Sequence, residues 1–384
     1  MSAEIRDLTD AEARAALVCK WGEVPDDVLP AWVAEMDYAV AEPIIEAVQR
    51  AVAIGMTGYP RPADSPGLGT AYAGWADRRF GHAVDAGRVL ATADVTAGVR
   101  LALDVAAPSG GLVFPVPGYS PQLAMAEITG RRRHDLVVDP DAERAELDLD
   151  QLAHHFENGA RVLLLTQPHN PWGRVFTRAE LEGVRDVVLR HGGFVVSDEI
   201  HAPLVLDGRE HVPYLSVEGT ADHTVAVVAA SKGFNIAGLK CAQLVTGSRR
   251  LHTALAEAPM ARNDSWSTIG VEASIAAYTH GDAWLDALLV RLAAQRDLLG
   301  SLLAEHLPLA RMRPVEATYL AWLDLRAYGH DDPAAVALER QRVKLAAGHD
   351  YQPGLDGHVR LNFATSPARL TAILERLAAA VTSP

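Results

Sequence analysis

Five short apolar runs, set apart by turn signals and a helical pattern, constrain this chain more than any other feature. They are Leu112–Val116, Arg161–Thr166, Phe194–Ser197, Thr224–Ala229 and Gln243–Thr246. Each is too short for a typical helix. Each is continuous rather than alternating, as expected of a strand buried on both faces. Between the second and third, Thr177 is placed as an N-cap with Glu180 at the capping-box position. Arg178–His191 then reads as a helix, and Gly192-Gly193 closes it. Strands separated by helices predict an α/β fold with a parallel sheet covered on both faces. Ligands bind such sheets at the C-terminal ends of the strands. Asn170, Asp198 and Lys232 all fall there.

The ends of the chain read differently. Trp284–Leu307 is a long amphipathic pattern, followed by an apolar run at Thr318–Leu325, a helix near Pro333–Arg342, a strand at Val359–Phe363 and a helix at Pro367–Val381. This order predicts a smaller α+β unit. Residues 1–43 carry few periodic signals and are expected to pack against it, anchored by Trp21, Trp32 and Tyr38. The 384 residues exceed one hydrophobic core and suffice for two.

Composition excludes several classes. A net charge of −14 argues against nucleic acid or an anionic membrane as partner. No apolar stretch approaches the roughly 18–20 residues of a membrane span. The first ten residues lack the basic and apolar regions of a signal peptide. Cys19 and Cys241 are far apart, which predicts reduced thiols and a cytoplasmic setting. Arg131-Arg132-Arg133 reads as a solvated strand or loop end, and His154-His155 as an exposed helix pair.

Lys232 follows an apolar strand and precedes a turn with Asn235, Gly233 and Gly238. A lysine in a dry pocket has a lowered pKa and forms imines with aldehydes. Asp198 closes the preceding strand, where a carboxylate keeps a ring nitrogen protonated or caps a turn. His201 either bonds a cofactor oxygen or packs, and Asn170 lies in a rigid turn, Gln167-Pro168-His169-Asn170-Pro171. Val95 and Thr96 precede an apolar helix, Arg100–Ala106, with backbone N–H groups suited to a phosphate, and Lys240 is a balancing cation. These parts together match pyridoxal phosphate. Metal spacing, GxSxG and a phosphate loop of the GxxxxGK[ST] kind are absent.

The ordered set Asn170-Pro171, Asp198-Glu199-Ile200-His201, Ser231-Lys232-Gly233-Phe234-Asn235 and Arg360-Leu361-Asn362-Phe363 resembles the class I/II aminotransferase superfamily of fold-type I pyridoxal-phosphate enzymes. Trp32-Val33-Ala34-Glu35-Met36-Asp37-Tyr38 resembles the WVADMDF signature of the MalY/PatB-type cystathionine β-lyases (C–S lyases). The resemblance implies the aspartate aminotransferase-like fold. It has a mainly parallel seven-stranded sheet in a large cofactor-binding domain, residues 44–283, and a small domain from residues 1–43 and 284–384. It implies Lys232 as the imine-forming lysine and proton shuttle. Asp198 would pair with the pyridine nitrogen, and Asn170 would bond the phenolic oxygen, with His201 in the same neighbourhood. Tyr119 would stack on the ring, and Val95, Thr96 and Lys240 would bind phosphate. Arg360 would clamp the substrate carboxylate, with Tyr38 beside the substrate. Tyr59 would reach the phosphate of a neighbouring subunit, which makes the protein a homodimer with shared sites. The implied reaction is α,β-elimination from L-cystathionine or a related cysteine S-conjugate, giving a thiol, pyruvate and ammonia. Transamination is the alternative outcome of the same residues, and an added regulatory binding role is a further one. Glu35, Gln167, Ala93-Asp94 and Lys240 depart from the family pattern.

Overall fold

The computed structural model describes residues 4–139 and 141–383. The central sheet has seven strands: β1 (Val89–Thr92), β2 (Gly111–Val116), β3 (Arg133–Val137), β4 (Ala160–Thr166), β5 (Phe194–Asp198), β6 (Thr224–Val228) and β7 (Ala242–Thr246). Their order across the sheet is β1-β7-β6-β5-β4-β2-β3. The apolar runs are continuous because alternate side chains feed opposite cores. Leu164 and Val196 enter one hydrophobic cluster, while Leu163 and Val195 enter another on the other face. Thr177 and Glu180 form the expected capping box, and the helix runs Arg178–Arg190.

Two strands lay outside the five runs. β3 is an edge strand whose outward face carries Arg133, Asp135 and the exposed Val137, so its alternating burial hides it from a search for continuous apolar stretches. β1 is only four residues long. The arginine run lies at a strand end as expected, but it is not wholly solvated. Arg133 opens β3, and Arg131 donates to the carbonyls of Leu103 (2.7 Å), Pro108 (2.7 Å) and Gly110 (3.1 Å). Only Arg132 is exposed.

β7 is antiparallel to both neighbours, against the expected parallel arrangement. Residues 229–241 contain a single 3₁₀ turn, Ala237–Leu239, and no α-helix. A parallel return usually runs through a crossover helix, which this connection lacks, and the chain reverses instead. The reversal holds Lys232 at the C-terminal edge of the sheet.

A second sheet comprises β8 (Arg311–Met312), β9 (Leu320–Asp324), β10 (Ala346–Ala347) and β11 (His358–Asn362), in the order β10-β11-β9-β8 and antiparallel throughout. The helices Asp282–His306 and Pro367–Thr382 pack with it. Residues 29–37 join this unit through backbone bonds. Leu29–Pro30 pairs with Val343–Lys344, Asn362 N donates to Ala31 O (2.9 Å), and Asp37 N donates to Ala364 O (2.9 Å).

The N-terminal segment is fastened by a buried ion pair. Lys20 Nζ lies 2.9 Å from Asp37 Oδ1, and both side chains are fully buried. Asp37 also accepts from Trp21 Nε1 (2.8 Å) and Arg369 Nη1 (3.2 Å). Burial pulls the Lys20 pKa down, and Asp37 opposes this. Asp37→Ala would leave a buried cation without its counter-ion. It is expected to cost about 3–5 kcal/mol, read as a lowered unfolding midpoint; a loss under about 1 kcal/mol would refute this account of the anchor.

Candidate active site

The C-terminal edges of β4, β5 and β6 open onto a cavity of about 230 Å³. Its walls include Asp94, Val95, Thr96, Tyr119, Asn170, Asp198, His201, Lys232 and Lys240. The sheet register explains part of this grouping. Thr166 pairs with Asp198, and Asp198 with Val227, so these residues share one row at the strand ends.

Lys232 Nζ donates to Ala34 O at 2.8 Å. Burial, reinforced by the nearby Arg360 cation, lowers its pKa to about 8. Ala34 belongs to the Trp32–Tyr38 stretch, whose carbonyls are almost all held by side chains from elsewhere. Arg360 Nη2 binds Trp32 O (2.6 Å), and Asn362 Nδ2 binds Val33 O (2.7 Å) and Glu35 O (2.6 Å). The Tyr319 hydroxyl binds Ala34 O (2.9 Å). Asn235 brackets Met36, donating to its carbonyl (2.8 Å) and accepting from its N–H (3.0 Å). Asn235 has φ +57°, a left-handed conformation that asparagine tolerates better than most residues.

Asp198 is buried. Its Oδ1 accepts from Ile200 N (3.1 Å) and its Oδ2 from Gln122 Nε2. Gln122 Oε1 in turn accepts from Thr166 Oγ1 (2.9 Å). Burial raises the Asp198 pKa to about 6, outweighing these hydrogen bonds. His201 is pushed down to about 3 by burial, then by Lys232 and Arg360, so its ring is neutral near pH 7. Its Nδ1 is buried without a hydrogen-bond partner among the described residues. Asn170 Oδ1 accepts from Arg360 Nη1 (3.2 Å), and the guanidinium lies 5.0 Å from the Tyr351 ring centroid.

The helix at the cavity rim begins at Val95, five residues before the expected Arg100, because Asp94 is its N-cap. Asp94 Oδ1 accepts from Ala97 N (2.8 Å) and Oδ2 pairs with Lys240 Nζ (2.9 Å). Three expected site residues lie outside the cavity lining. Arg360 is one, reaching the cavity through its bond to Asn170. Tyr38 is buried, its hydroxyl donating to Thr365 O (2.9 Å). Tyr59 is fully exposed on a separate groove with Trp266 and Ile275. Gln122, Thr166 and Tyr319 were not foreseen. Each is a single polar residue without a local pattern, and only the folded arrangement brings it to Asp198 or Ala34.

The aspartate makes a testable claim on the protein without bound ligand. Its folded-state pKa lies above the unfolded value, so its contribution is intact below about pH 4 and is lost as pH rises through about 6. Asp198→Asn should therefore gain stability relative to the parent by roughly 2–3 kcal/mol between pH 4 and pH 8. Urea unfolding across that range checks it; parallel curves would show that burial imposes no such penalty.

The chain is similar to known proteins over most of its length. The family described as Aminotransferase class I and II matches residues 26–377. A Mycobacterium leprae protein named "Putative cystathionine beta-lyase" is 39% identical over 405 aligned positions, covering 98% of each chain. The cystathionine beta-lyase PatB of Bacillus subtilis is 34% identical, covering 92% of this chain and 93% of its own. A crystal structure of a "putative plp-dependent beta-cystathionase" from Corynebacterium diphtheriae superposes with a TM-score of 0.93, at 31% identity and 99% coverage of both chains.

Proposed function

Because the chain belongs to the class I and II aminotransferase family, we propose that it is a pyridoxal-phosphate-dependent C–S β-lyase acting on L-cystathionine or a related cysteine S-conjugate. The observation that carries this is the pairing, in one cavity, of a lysine with its pKa near 8 and a buried carboxylate. The relatives' names support the choice of substrate class.

The cavity suits the cofactor chemically. Asp198 is a buried acceptor that gains a partner if a protonated ring nitrogen lies beside it. His201 Nδ1 lacks one. When bound, the cofactor supplies an electron sink for a carbanion at the substrate Cα. The protein residues do the rest. Lys232, with a substantial neutral fraction near pH 8, takes the α-proton. Asn170 and His201 would hold the ring's phenolic oxygen, Tyr119 its face, and Val95, Thr96 and Lys240 its phosphate. Arg360 is oriented by Trp32 O and Asn170 Oδ1, and its Nε has no partner among the described residues. It is therefore poised for a substrate carboxylate. Departure of the thiolate from Cβ, which takes up a proton to leave as thiol, and hydrolysis of the remaining unsaturated amine by one water would then give pyruvate and ammonia.

A second copy of the chain completes the reading. Tyr59 lies outside its own chain's cavity, which is consistent with service to a partner subunit in a homodimer of large (44–283) and small (1–43, 284–384) domains. No helix among the described residues is long and apolar enough to cross a membrane, and a cytoplasmic location fits the two free cysteines.

The protein with pyridoxal phosphate should absorb in the visible, and Lys232→Ala should abolish both that band and turnover. L-Cystathionine alone should yield pyruvate and thiol in equal amounts; turnover only with an added oxo acid would establish the aminotransferase instead. Arg360→Lys keeps the charge but loses the planar fork, so KM should rise roughly tenfold or more with a smaller change in kcat. An unchanged KM would remove Arg360 from substrate binding.

A further inference from the structure

The cavity wall carries an anion where an anionic group is expected to dock. The Asp94 carboxylate stands at the start of the rim helix and is committed twice, to Ala97 N and to Lys240 Nζ. The first bond uses the third N–H of the helix, and the carboxylate also faces the N–H of Thr96, leaving Val95 outside its reach. Lys240 is fixed by the fold as well as by its partner. Its backbone is left-handed at φ +51°, and its carbonyl accepts from Ser267 N (2.9 Å). Among residues lining the cavity, the cationic side chains are Lys232 and Lys240, and Lys232 is engaged with Ala34 O. A phosphate arriving at Val95 and Thr96 therefore meets a locally neutral ion pair rather than net positive charge.

Resting on the cofactor reading above, we propose that Asp94 limits the affinity of this protein for the cofactor's phosphate, with Lys240 shared between the carboxylate and the phosphate. The two anions compete for one ammonium, and their mutual repulsion across a half-exposed rim loosens the cofactor. The capping hydrogen bond keeps the helix start ordered, so Asp94 both builds the phosphate seat and weakens it. These effects are separable. Asparagine caps a helix as well as aspartate but carries no charge, whereas alanine removes cap and charge together.

The test compares parent, Asp94→Asn and Asp94→Ala. Each holoprotein is resolved from its cofactor and titrated with pyridoxal phosphate, and in parallel with pyridoxal, which lacks the phosphate. Visible absorption reports binding. Asp94→Asn should bind pyridoxal phosphate tighter than the parent by roughly three- to tenfold, the scale of a half-exposed charge interaction, with pyridoxal affinity unchanged. The difference should shrink at 1 M salt. Asp94→Ala should gain less than Asp94→Asn. If Asp94→Asn binds pyridoxal phosphate no tighter, or tightens pyridoxal equally, the inference is wrong while the cofactor reading survives. A missing visible band in parent and variants alike would remove both.

Discussion

The side-chain grip on the backbone of residues 32–36 is the constraint on which the rest of the structure depends. An irregular segment crossing the cavity would bury carbonyls that neither a helix nor a sheet can satisfy. Here Arg360 and Asn362 come from the second sheet, Asn235 and Lys232 from the turn after β6, and Tyr319 from the residue before β9. One stretch of backbone thus ties the N-terminal segment, the lysine turn and the second sheet together. The buried Lys20–Asp37 pair locks it from behind. One of the residues that hold the segment, Lys232, also lines the cavity.

This arrangement also sets the electrostatics. Lys232 bonds to a carbonyl, a neutral acceptor, while its nearest strong influence is the Arg360 cation. Burial and that cation together favour the uncharged amine. Asp198 has donors but no cationic hydrogen-bond partner, so burial dominates and its pKa rises. The cavity holds one base and one acid in the protonation states least favourable to folding. Such groups are retained at sites where binding or chemistry uses them.

Much of the large sheet was legible locally. Continuous apolar runs identified five strands, and the Thr177–Glu180 box located a helix start that the structure reproduces. The edge strand β3 and the short β1 were not visible, because burial on one face or brevity removes the apolar signal. The direction of β7 is not encoded in its run of apolar residues; the helix-free connection before it goes with the reversal in an otherwise parallel sheet. At the site, Lys232, Asp198, Asn170, His201, Tyr119, Val95, Thr96 and Lys240 meet in one cavity as expected. Tyr38, Tyr59 and Arg360 do not line it; the Tyr38 phenol, at the end of the clamped segment, turns toward Thr365.

The sequence by itself determined five strands of the large sheet, the Thr177 cap and the reactive residue types, because propensity, capping and hydrophobic period are properties of neighbours along the chain. Only the tertiary structure decided which of those residues meet. Asn170 and Arg360 are 190 positions apart, and Lys240 and Asp94 are 146 apart. Gln122 reaches Asp198 across 76. Contacts of that span follow from strand order, register and the reversal after β6, and these are set by how whole elements pack.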